Sequence, residues 1–73
     1  MISPKEKAEE LVHTYRVLLM DEGEDYGEEI LVSMLSKQCA LISAMETKLA
    51  FVRISNWEQA EYWRGVEREI GKL

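Results

Sequence analysis

The chain is poor in the residues from which small proteins build catalytic or stapled structures: one cysteine, one histidine, one proline and one phenylalanine among 73 residues. A single cysteine cannot close an internal disulfide, and small secreted domains usually rely on several. One histidine and few loops leave little material for an active site. No glycine-rich phosphate loop, Walker-type lysine or G-x-S-x-G motif occurs. An enzyme is therefore not expected, nor a cofactor. Long apolar runs are missing too. Lys37, Glu46 and Lys48 interrupt the most apolar stretch, which falls short of the ~18–20 uncharged residues of a membrane span. At the N-terminus, Lys5, Glu6, Lys7, Glu9 and Glu10 occupy the place where a signal peptide would be apolar. A cytoplasmic protein with no membrane partner is the expectation.

Basic residues are the minority. The net charge is −5, which argues against a nucleic-acid partner, because phosphate binding needs clustered Lys and Arg. The imbalance is local. Asp21, Glu22, Glu24, Asp25, Glu28 and Glu29 fall within nine positions containing no base, leaving eight acids against nine bases elsewhere.

What is present is helical periodicity. The hydrophobic fraction of 47% is that of a globular protein. The length gives a single domain, 1–73, near the lower limit for a self-sufficient core. Ser3-Pro4-Lys5-Glu6 is a capping box with proline at the first helical position. Ala8, Leu11, Val12, Tyr15, Leu18 and Leu19 then share one face of helix 1, about residues 4–20. An acidic connection with two glycines, 21–27, follows. Asp25 and Glu28 repeat the capping signature, and Glu28 and Glu29 suit the positive end of the next helix dipole.

Helix 2, about 27–51, carries a stripe of Leu31, Leu35, Ile42, Met45, Leu49 and Val52. With Gln38 in the gap, these positions step alternately by four and three. Ile30, Met34 and Leu41 widen the surface to roughly 140° of arc. Its C-terminal end is undefined, since Phe51-Val52-Arg53-Ile54 is β-prone and lacks glycine or proline. Ser55-Asn56-Trp57-Glu58 is a second capping box that starts helix 3, about 56–72. Its inward face is Gln59, Trp63, Val66, Ile70 and Leu73, with Gly65 an internal weakness of ~1 kcal/mol relative to alanine. The fold expected is all-α, a three-helix up-down-up bundle with a long central helix. Tyr15, Leu18 and Leu19 on one side, and Trp63, Val66 and Ile70 on the other, are expected to shield much of the stripe. Helix 2 outruns helix 1 by about two turns. The uncovered remainder, near one end, makes the stripe a candidate for self-association and the protein a candidate homo-oligomer.

Other constellations are weaker. Glu10 and His13 have the E-x-x-H spacing of di-iron bundles, but they point away from the apolar face of helix 1, toward solvent. The acidic connection fails the calcium-loop pattern: counting from Asp21, the sixth position is Tyr26 and the twelfth is Val32. No metal site is expected. Cys39 has no activating neighbour in sequence and lies beside the stripe. Trp57 falls off the inward face of helix 3, near Arg64. These two, with Asp21, Glu22, Glu24, Asp25 and Tyr26, form a candidate partner-binding set of acidic, aromatic and arginine side chains. For an anionic small molecule, Arg53, Arg64 and Arg68 offer the available basic cluster.

Three stretches carry a resemblance. Pro4-Lys5-Glu6-Lys7-Ala8 with Leu11-Val12, Lys37-Gln38-Cys39-Ala40-Leu41-Ile42, and Tyr62-Trp63 with Val66, Glu69-Ile70 and Leu73 are similar to short helical proteins of phages and mobile elements of Bacteroidetes-type bacteria. The likeness covers about half of the chain and touches all three helices, while residues 43–56 and the acidic connection lie outside it. It carries no catalytic residue with it. What it implies is a class of jobs. The leading one is a non-enzymatic binding protein that antagonises a bacterial defence system or another host factor, by occluding a protein surface or by sequestering a signal molecule. The other is a homo-oligomeric structural or accessory component of a virion or assembly.

Overall fold

The computed structural model describes residues 2–22 and 29–73. Among them, all regular structure is helical: α1 (Pro4–Glu22), α2 (Glu29–Arg53) and α3 (Trp57–Lys72). The acidic connection, apart from the backbone of Asp21 and Glu22 in α1, lies outside the described residues, and with it the expected cap at Asp25 and Glu28.

The first capping box forms as the sequence dictates. Ser3 Oγ accepts the Glu6 amide at 3.2 Å, and the Glu6 carboxylate accepts the Ser3 hydroxyl at 3.0 Å. The second is displaced by one residue. Asn56, not Ser55, caps α3, its Oδ1 accepting the Gln59 amide at 3.2 Å. The reason lies in how α2 ends. Asn56 N–H donates to the Phe51 carbonyl at 2.9 Å and Ser55 N–H to the Val52 carbonyl at 3.0 Å, the paired bonds of a Schellman turn. Ser55 takes the left-handed position of that turn, with φ 58°, so it cannot also be the N-cap. α2 thus continues as helix through the β-prone residues to Arg53.

The larger departure concerns which face of α2 is covered. Val32, Ser36, Ala40 and Ala44, spaced four apart, are its buried residues. They form the inner face, with Ala8 of α1 and Ala60, Val66 and Ile70 of α3 also buried. Leu11, Val12, Tyr15, Tyr62 and Trp63 pack partly buried around this core. Small side chains let helix backbones approach closely, and Ser36 satisfies its hydroxyl on the Val32 carbonyl at 2.7 Å. No leucine, methionine or aromatic residue is among the buried residues described. The stripe is therefore not shielded by α1 and α3. At about 100° per residue it lies roughly opposite the face that those helices cover. Leu18 and Leu73, expected inside, are exposed as well.

Gly65 has a structural use. A β-carbon there would stand 3.2 Å from Cβ and Cγ of Pro4, so the missing side chain lets the start of α1 rest on α3. Tyr62 Oη donates to the Ile2 carbonyl at 2.8 Å and fixes the same corner. Further along, a half-buried Lys48–Glu67 ion pair at 3.0 Å ties α2 to α3. Lys37 Nζ donates to the Leu73 carbonyl at 2.7 Å, and Arg16 donates to Ser33 Oγ between α1 and α2.

Candidate interaction surface

The outward face of α2 is the most extensive chemical feature of the described molecule. Ile30, Leu31, Met34, Leu41, Ile42, Met45 and Leu49 are all exposed, with Ile42 58% accessible, Met34 55% and Ile30 75%. Leu35 and Val52 are half-buried at its margins, and Gln38 is its exposed polar member. Four of the six self-association residues read from the sequence, Leu31, Ile42, Met45 and Leu49, thus lie open along the length of α2, not at one end. The cause is a division of side-chain volume: small residues face α1 and α3, large ones face away. Periodicity of the large residues alone located the stripe but assigned it to the wrong side of the bundle. The i, i+4 row Val32-Ser36-Ala40-Ala44 was the missed signal. Val17, Leu18 and Met20 of α1 add exposed apolar surface, in the turns leading to the connection.

Of the other candidate group, only Trp57 and Arg64 have described side chains. Trp57 is 61% exposed, at the start of α3 and three residues after the exposed Ile54. Arg64, two turns on, pairs with Glu61 at 2.9 Å. Glu22 and Glu29, which bound the acidic segment in sequence, are separated from Trp57 by the length of α2, roughly 36 Å at 1.5 Å per residue. Nothing is described of the side chains of Asp21 and Glu22, and Glu24, Asp25 and Tyr26 lie outside the described residues.

Glu10 and His13 are both exposed, and Glu10 pairs with Lys7 at 2.8 Å. Among the described residues, no three His, Cys, Asp or Glu gather as a metal-binding group. Cys39 is a half-buried free thiol. An open cleft lined by Glu9, Val12, His13, Arg16, Ser33, Lys37 and Leu73 collects three basic side chains. Sequence reasoning missed it, because its members come from α1, α2 and the terminal Leu73 and share no motif. Two of the three are already engaged, Arg16 with Ser33 and Lys37 with Leu73. No described helix is long and apolar enough to cross a membrane. No protein-family model, curated protein or solved structure matches the chain.

Proposed function

We propose that this chain is a non-enzymatic helical protein that works by protein contact, as a homo-oligomer whose protomer is an up-down-up bundle. The observation that carries the reading is the outward placement of α2's large apolar side chains. A continuous apolar face of this extent marks an association surface, and a core of alanine, serine and three larger aliphatics gives a lone protomer little to fold around. Contacts between Arg16 and Ser33, Lys48 and Glu67, and Ile2 and Tyr62 support the up-down-up path. Protein, not nucleic acid, is the partner class for a chain of net charge −5, and cytoplasm is the proposed location.

Of the two jobs that the phage resemblance implies, the assembly or accessory component fits this face best, since the face belongs to the protomer along all of α2. Antagonism of a bacterial defence system or another host factor is the second reading. It is favoured by the exposed Trp57 and Ile54, the kind of apolar and aromatic anchor found at binding hot spots. Two measurements separate them. An assembly component forms oligomers in light scattering and co-purifies with particles. An antagonist restores phage growth in a defended host, and Trp57→Ala abolishes that rescue. A chain that is monomeric at every concentration and absent from particles contradicts the first reading.

A further inference from the structure

We propose that the outer face of α2 is covered by the same face of a second copy, running antiparallel, about a two-fold axis near Ala40. The inference rests on the oligomeric reading above and specifies its geometry. Leu35, Ile42 and Leu49 alternate with Leu31, Gln38 and Met45 at steps of three and four, the a and d positions of a coiled-coil seam. All of these positions but the half-buried Leu35 are exposed, so the protomer presents most of the seam and lacks only its equal. The seven exposed residues of this face leave on the order of 700 Å² uncovered, close to the ~800 Å² per partner of a stable interface. A two-fold pairing uses the patch against itself, the commonest arrangement of soluble oligomers.

Charge decides the direction. The six acids within Asp21–Glu29 immediately precede and begin α2, while Arg53 ends it. A parallel pair sets the two α2 starts, with the acids joined to them in sequence, side by side. An antiparallel pair separates the two α2 starts, to which these acids are joined in sequence, by roughly 36 Å, several times the ~8 Å screening length at physiological salt. It also places each Arg53 at the end where the other copy's acids enter, which is favourable pairing across the interface. With the axis at Ala40, Leu31 meets Leu49 of the second copy, Leu35 meets Met45, and Gln38 meets Ile42.

The test is a spin-label distance measured together with the native mass. In a Cys39→Ser background, Ala50→Cys places a label at an exposed position off the seam and ten residues from the axis. An antiparallel pair gives a label separation above roughly 30 Å, and a parallel pair one below about 20 Å. A two-chain mass with the long distance is the expected result. A two-chain mass with the short distance overturns the antiparallel arrangement and leaves the oligomer standing. A single-chain mass overturns both. Ile42→Glu, on the seam, halves the mass if this face is the interface; an unchanged mass places the contact elsewhere and overturns the proposal. The distance measured on the chain with its seam intact remains decisive even if that variant fails to fold.

Discussion

At the scale of single residues, the most informative position is Ser55, the one non-glycine described with positive φ. A side chain in the left-handed region costs roughly 1–2 kcal/mol, which glycine avoids. Ser55→Gly should therefore stabilise the chain by about 1 kcal/mol, raising the melting temperature by roughly 4–8 °C for a domain of this size. An unchanged or lower melting temperature at fixed protein concentration would contradict the Schellman turn. Ala40 and Ile42 form a second contrast. Ala40 is fully buried between helices, so Ala40→Leu should destabilise by at least ~1–3 kcal/mol through overpacking. Ile42, two positions away, is mostly exposed, so Ile42→Glu should keep the far-ultraviolet helical signal while splitting the oligomer. The reverse pattern in urea melts would show that large residues face inward after all.

At the scale of elements, the two glycines of α3 behave differently although they share a helix. Gly71 has no atom within 4 Å of an added β-carbon, whereas Gly65 meets Pro4 at 3.2 Å. Gly71→Ala should stabilise by several tenths of a kcal/mol, up to ~1, from helix propensity. Gly65→Ala should gain less or lose stability, because α1 must move outward. Equal gains at both positions would refute the close approach of α1 to α3. The same elements show how much of the fold the sequence discloses. Three helices, the Ser3–Glu6 box and the boundaries to within two residues follow from local periodicity and capping, which are local properties. The α3 cap is off by one because the Schellman turn, a property of the preceding helix, claims Ser55 first. The covered face of α2 escapes for a physical reason. Hydrophobic periodicity detects large apolar residues and is blind to the alanine and serine row that permits close helix packing. Cys39, Trp57 and the arginines are legible as types, but their neighbours are set by tertiary packing. The cleft of His13, Arg16 and Lys37 has no sequence signal at all.

At the scale of the whole molecule, the chain is a rod of 43 × 19 × 18 Å. Its accessible surface, 5216 Å², exceeds the ~4,700 Å² expected of a compact monomer of 8.5 kDa. The large apolar side chains turned away from the bundle's own core contribute to that surface. If a second copy covers them, folding and association are coupled, and stability depends on protein concentration. The melting temperature should rise measurably over a hundredfold increase in concentration, and Ile42→Glu should remove that dependence. The most direct measurement of the central claim is the solution mass by sedimentation equilibrium over such a range. The account predicts a species of twice 8.5 kDa for the natural sequence, falling to a single chain for Ile42→Glu. A natural chain that sediments as one copy at every concentration, with its full helical signal, would contradict it.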